Sequence, residues 1–389
     1  MQNKQEIYFD NSATTKVLPQ VADLAYRVMC EDYGNPSALY GRGLAAEKLL
    51  AQARTRIAKA LNVLPREIIF TSGGTEANNL AIRGVAAAAK RRGRHIIVSA
   101  VEHPAVLWTA EALSDEGFEI DLLPVDENCQ VRPEDLAARL RPDTVLVSVM
   151  LVNNEVGAVQ PIAELANELK KAQSEALLHV DAVQAFGKMV INPREWGVDM
   201  LSVSGHKLHA PKGTGFLYVR DGVRFVPQMT GGGQEAARRS GTENMPGICA
   251  LGLAAKLAYD NLQERVEQVA EVKERLLNGL SKLPGWQMNT PEGALPNVLN
   301  ISFDGIKSEV LLHMLEEEGL MVSSGSACAA RKDKLSHVLT AMGYDRRRIE
   351  GAIRFSFSCL NTVEEADRAA KIVCRQVEDL RLILAPSKR

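Results

Sequence analysis

The sequence predicts an α/β protein in two parts. A large domain is built on a mostly parallel sheet, and a smaller α+β domain is formed mainly by the C-terminal part of the chain. Three observations carry this expectation. Short apolar runs alternate with helical stretches through the first half of the chain, the pattern of a parallel sheet covered on both faces. Past Ala250 the pattern changes to a long helical stretch, about Ala250 to Leu283, with no strand inside it. The length, 389 residues, exceeds what one ordinary core organises.

Taken in order, Ile7-Tyr8-Phe9-Asp10-Asn11-Ser12-Ala13-Thr14-Thr15 is a short strand running into a polar turn, and Tyr33-Gly34-Asn35-Pro36-Ser37 reads as a loop. Ala46, Leu50, Ala53, Ile57 and Leu61 recur at helical spacing, predicting an amphipathic helix over Leu44 to Leu61. A buried strand, Glu67 to Thr71, meets the turn Ser72-Gly73-Gly74-Thr75-Glu76 and then helical Ala77 to Val85. Strand, glycine turn, helix aims free backbone N–H groups at an anion, helped by the helix dipole. Without Gly-Lys-Ser/Thr it is not a Walker loop, and it also fits an ordinary capped turn.

Further strands are expected at His95–Ser99, Glu119–Leu123, Thr144–Met150, Ala176–Asp181, Val198–Leu201 and Phe216–Val219. Functional residues of such sheets gather at the carboxyl ends of the strands. Thr75, His103, Asn154, Asp181 and Lys207 fall there. The smaller domain follows with a strand at Val298–Phe303, a helix around Ser308 to Glu317, a loop from Val322 to Cys328 and a strand at Ala352–Ser356. A final helix opens on the capping box Thr362/Glu365. The tail Ala385 to Arg389 is expected to fray.

The bulk composition excludes several functions. Hydrophobic content of 46% with 24% charged residues describes a soluble globular protein. A net charge of −2 gives no reason for a nucleic-acid partner or an anionic membrane. The polar start, Met1 to Glu6, lacks a signal core, and no apolar run is long enough to span a bilayer. Cys30, Cys129, Cys249, Cys328, Cys359 and Cys374 are scattered without a Cys-x-x-Cys pair. This argues against disulfides and a metal site and fits a reducing cytoplasm.

Three local signals combine into a site. Lys207, in Ser202-Val203-Ser204-Gly205-His206-Lys207, can condense with an aldehyde. By itself it also fits a surface lysine after a strand. Asp181, ending an apolar strand three residues before Gln184, is a costly carboxylate unless it meets a cation such as a protonated pyridine nitrogen. The glycine turn ending in Thr75 suits a phosphate. Acid, phosphate cradle and lysine on one sheet edge describe a pyridoxal 5'-phosphate site. A fourth signal is Cys328, on a loop of Ser and Gly that offers no apolar wall, which makes it a candidate mobile nucleophile. The other five cysteines read as buried packing residues.

With these motifs in place the chain resembles the cysteine desulfurases of the NifS/IscS type, in the class V aminotransferase family. The resemblance rests on Phe9 to Thr15, Gly34 to Ser37, Thr71 to Asn79, Asn153 to Gly157, His179 to Gln184, Ser204 to Lys207, Arg239 to Asn244 and Ser324 to Cys328, and covers nearly the whole chain. It implies the pyridoxal phosphate fold type I (aspartate aminotransferase-like), built as a homodimer. The large domain would span 16–255, with 1–15 and 256–389 in the small domain that carries the Cys328 loop.

The resemblance also implies roles. Lys207 would hold the cofactor aldehyde and shuttle protons. Asp181 would pair with the pyridinium and Gln184 with the ring hydroxyl. His103 would stack on the ring and move protons, although ahead of Pro104 it also reads as a helix-capping histidine. Gly74, Thr75, Ser204 and His206 would bind phosphate, with Thr242 reaching it from the other subunit. Arg354 would grip the substrate carboxylate, assisted by Asn154 and Asn35. The implied reaction converts L-cysteine to L-alanine and leaves the sulfur on Cys328 as a persulfide for an acceptor, such as an iron–sulfur scaffold or a tRNA-thiolation protein.

Three stretches depart from the family pattern: Ala329 to Lys334 is more basic, the stretch Arg354-Phe355-Ser356-Phe357-Ser358-Cys359 stands where the family commonly has Ser-Leu-Gly, and the C-terminus lacks the Leu-Ser-Pro-Leu ending. They put the acceptor in doubt rather than the chemistry. The alternatives are a selenocysteine lyase, an aminotransferase of the same class, or a non-catalytic scaffold. Cys328 argues against the second, and the retained Lys207, His103, Asp181 and Arg354 against the third.

Overall fold

The computed structural model describes residues 6–324 and 335–384. Cys328, the basic stretch after it and the tail from Ala385 lie outside the described residues.

The chain opens with β1 (Ile7–Tyr8), two helices (Pro19–Cys30 and Gly41–Leu61) and β2 (Ile68–Thr71). Then come β3 (His95–Ser99), β4 (Glu119–Leu123), β5 (Thr144–Met150), β6 (Leu177–Asp181), β7 (Met200–Ser204) and β8 (Gly215–Val219). These form one seven-stranded sheet in the order β2-β8-β7-β6-β5-β3-β4. Pairing is parallel from β7 through β4, while β8 runs antiparallel to both β2 and β7. The sheet is thus mixed but mostly parallel. Every residue of β5 is buried, as a strand covered on both faces requires.

The second unit contains β9 (Trp286–Met288), β10 (Val298–Phe303), β11 (Leu320–Met321) and β12 (Ala352–Ser356). β10 lies between β9 and β12, antiparallel to both. The helix Val363–Leu384 packs along Leu262–Leu280. Its capping box forms as expected: Thr362 Oγ1 accepts from Glu365 N and Glu365 Oε2 from Thr362 N. The N-terminal arm belongs to this core. β1 pairs in parallel with β11, Asp10 bridges to Ser356, and Phe9 stacks edge-on against Phe357.

The structure corrects several local readings. The long helical stretch is two helices, Met245–Asp260 and Leu262–Leu280, broken at Asn261 (φ −130°, ψ 35°). Asparagine competes locally for backbone hydrogen bonds, and a sequence period does not register a one-residue break. Cys30 is exposed at the end of its helix, while Cys359 and Cys374 are half-buried, so only Cys129 and Cys249 are buried packing residues. β9 and β11, each too short for a periodic signal, were not expected. Among the described residues no helix is long and apolar enough to cross a membrane.

Candidate active site

The glycine turn is built from close approach. The helix starts at Gly74, three residues before Ala77, so Thr75 lies in its first turn. Gly73 adopts φ +156°, ψ −176°, a region open essentially only to glycine. A Cβ on Gly74 would lie 2.7 Å from Val183 Cγ2 and 3.4 Å from Ser204 Cβ. The turn therefore sits against the end of β7, and only a bare backbone fits there. Glu76 fastens the turn: it accepts from Ser72 N (2.9 Å) and takes a two-pronged grip from Arg239 (2.7 and 3.1 Å). Burial pushes this carboxyl up, but the Arg239 and Ser72 hydrogen bonds outweigh it and hold Glu76 below the ordinary value.

Asp181 closes β6 at 4% exposure. Its oxygens accept from Asn78 Nδ2 (2.7 Å) and Val183 N (2.9 Å), both neutral donors. A buried carboxylate supported only in this way is expensive, and a cationic ring nitrogen would offset the cost. His103 caps the helix Pro104–Ser114, its Nδ1 accepting from Ala105 N at 3.1 Å. The local reading of this residue therefore holds. Burial first, then Lys207, push the imidazole down against the pull of Asp181. A neutral ring accepting at Nδ1 carries its proton on Nε2.

Lys207 ends the turn Gly205–Lys207 after β7. Its Nζ donates to the carbonyls of Ser12 (2.5 Å) and Ala13 (2.8 Å). Gln184 Nε2 donates to the same Ser12 carbonyl at 3.1 Å. His206 lies beside Thr14 (Nδ1 to Oγ1 3.2 Å), and burial with Lys207 and its neighbours pushes it down to about 4. The N-terminal arm thus passes directly under the lysine.

Arg354, 3% exposed on β12, is held at two points. One terminal nitrogen donates to the Asn154 carbonyl (3.0 Å) and the other to Asp10 Oδ1 (2.8 Å). Among the described residues its Nε is buried without a partner. Asn153 shapes the turn that presents Asn154, its Oδ1 accepting from Glu155 N and Val156 N.

The structure thus joins Lys207, His206 and Gln184 around Ser12–Thr14, Gly74 to Ser204, and Arg354 to the Asn154 backbone. Two expected residues stand apart. Asn35 and Thr242 are exposed on loops, and the Asn35 side chain accepts from Ser37 N in its own turn. Residues that the sequence reading missed are Asp10, Asn78 and Lys188. The first two lie inside motifs it had singled out, but their partners are distant in the chain. Among the described residues no group of side chains is arranged to hold a metal.

A helix N-terminus behind a glycine turn, a buried carboxylate hydrogen-bonded to neutral donors and a lysine at a strand end are the features shared by the pyridoxal phosphate enzymes of fold type I. Residues 7–369 match the aminotransferase class-V family, and the chain belongs to that family. It is 43% identical over 96% of its length to a cysteine desulfurase IscS of Methanosarcina thermophila, covering 93% of that protein. It is 45% identical to a putative cysteine desulfurase, IscS 1, of Bacillus subtilis, over 97% of this chain and 100% of the relative. A solved structure described as a NifS-like protein superposes with a TM-score of 0.91 at 41% identity, over 97% of this chain and 100% of the other.

Proposed function

We propose that this chain is a pyridoxal phosphate-dependent cysteine desulfurase that converts L-cysteine to L-alanine and passes the sulfur to its own Cys328. The observation that carries the cofactor is Asp181, a buried carboxylate with neutral partners, beside a glycine cradle and Lys207. The family and the names of its relatives support the substrate.

When bound, the cofactor supplies an electron sink that makes the bonds at the substrate α- and β-carbons breakable. The chain's residues do the rest. Gly74, Thr75, Ser204 and His206 would hold the phosphate, and Asp181 would pair with the ring nitrogen. Gln184 would donate to the ring oxygen. His103, with its proton on Nε2, would lie against the ring and exchange protons. Lys207 would bind the aldehyde group and serve as the base at the substrate α-carbon. Arg354 would take the substrate carboxylate through the hydrogens it does not give to Asn154 and Asp10, with Asn154 beside it, while Asn35 would have to leave its own turn to assist. The Cys328 thiolate attacks the substrate sulfur. An S–S bond forms as the C–S bond breaks, and the three-carbon fragment takes up protons to leave as alanine.

In this reading the enzyme is a homodimer. Tyr26, Met29, Tyr33, Leu39, Tyr40 and Leu44 are exposed along one stretch of chain, the surface a second copy would cover. Thr242, exposed on its loop, would reach the partner's phosphate site. We assign residues 16–255 to cofactor binding, and 1–15 with 256–389 to the unit bearing Arg354 and Cys328. A reducing, cytoplasmic setting keeps the thiol available, and a sulfur-acceptor protein completes turnover.

The test compares wild type with Cys328→Ala, given L-cysteine under reducing conditions. Wild type is expected to release alanine and sulfide. The variant should retain the cofactor absorption band and release neither. Equal turnover by the variant would remove Cys328 as the sulfur acceptor.

A further inference from the structure

We propose that Lys188 is a positioning residue that pins the Gln184 amide so that its N–H end, not its carbonyl, faces the ring oxygen of the cofactor. The proposal rests on the pyridoxal phosphate reading and deepens it.

The chain from Ala182 to Met189 folds into successive turns, with Phe186 N bonded to Ala182 O and Lys188 N to Ala185 O. Gly187 adopts φ +78°, and a Cβ there would lie 3.1 Å from that of Ala258, so the turn is fixed by close approach. This returns Lys188 beneath Gln184, where its Nζ meets Gln184 Oε1 at 3.1 Å. At the other end of the same amide, Nε2 donates to Ser12 O at 3.1 Å. In its protonated form, held below about 7, Lys188 has three donors and no acceptor, so it can only face the amide oxygen. A carbonyl can only face the amide nitrogen. Both ends of the amide are therefore specified, and the second Nε2 hydrogen is left for a ligand. The ammonium also polarises the amide and strengthens that donor.

Two cations act on Lys188, Lys207 from the turn after β7 and Arg354 from β12, and Lys188 in turn helps hold His206 and His209 neutral, each pushed down to about 4 mainly by burial. Arg265 of the helix Leu262–Leu280 and Cys359 share its cavity of roughly 40 Å³, whose lining among the described residues holds no carboxylate. Lys188 is half-buried as a residue, and burial of its amine end, with Lys207 and Arg354, pushes it down to about 7. A lysine kept at such a cost needs a role, and the Gln184 oxygen is where its hydrogen bond goes.

A hydrogen bond donated to the ring oxygen favours the more negative form of the lysine-bound cofactor, so it lowers the pH at which that form takes up a proton. The experiment titrates the visible absorption of the holoenzyme against pH. Lys188→Met should move the midpoint up by about one unit, and Lys188→Arg should return it most of the way. In a Gln184→Leu background the methionine should add little further shift. Lys188→Gln serves the same comparison should the methionine variant not fold.

The proposal is overturned if Lys188→Met, with full cofactor content, titrates with wild type. It is equally overturned if the methionine shifts the midpoint as much without Gln184 as with it. A wild-type protein that gives no cofactor band would instead sink the pyridoxal phosphate reading itself.

Discussion

The two ends of the candidate site are made differently. The proposed cofactor end lies at strand ends of the large sheet: Gly73 to Glu76 after β2, Asp181 at the end of β6 and Ser204 to Lys207 from the end of the neighbouring β7, with β8 between β7 and β2. The carboxylate end is assembled across the chain. Asp10 meets Arg354 from 344 residues away, and the Asn154 carbonyl meets the same guanidinium from 200 residues away. The first end is a property of local strand–turn–helix geometry. The second exists only because the N-terminal arm threads between β11 and β12 and then under Lys207.

The difference can be attacked from either side. The largest effect is expected at the cofactor end. Asp181→Asn would remove the proposed charge partner of the ring nitrogen, and losing one member of a buried pair costs about 3–5 kcal/mol. Apoprotein affinity for pyridoxal phosphate should therefore fall by about two to four orders of magnitude, read by equilibrium titration. A smaller effect is expected from Arg354→Lys, which keeps the charge beside Asp10 but loses the planar fork. A charged hydrogen bond is worth roughly 1.5–3 kcal/mol, so the KM for L-cysteine should rise about 10- to 100-fold while cofactor affinity stays.

The smallest effect lies at Glu76, which fastens the glycine turn through Arg239. Its carboxyl is held below the ordinary 4.5. The ion pair therefore stabilises the fold above that pH, and its contribution is lost as pH falls through the lowered value. The melting temperature of wild type should exceed that of Glu76→Gln at neutral pH, and the gap should close in acid. A gap that widens in acid would contradict this assignment.

The same contrast explains what was legible in the sequence. β3, β4, β5, β10 and β12 stand where the apolar runs placed them, and Lys207, Asp181 and Gly74 stood out because strand ends and glycine turns are local signals. Asp10 sat in plain view inside the run Phe9 to Thr15. Nothing local could say that its carboxylate meets Arg354, because that contact depends on the β1–β11 pairing of two two-residue strands. Lys188 was hidden for another reason. Its meeting with Gln184 depends on successive turns and Gly187, not on a helical period. The break at Asn261 was missed because one residue scarcely disturbs a pattern averaged over many turns.

The most direct test of the account measures two constants on the same two variants: the dissociation constant for pyridoxal phosphate and the KM for L-cysteine, in Asp181→Asn and Arg354→Lys. The account predicts that they separate. Asp181→Asn should weaken cofactor binding, and Arg354→Lys should raise KM with cofactor binding unchanged. If Arg354→Lys loses cofactor as severely as Asp181→Asn does, the two ends are one unit and the division drawn here is wrong.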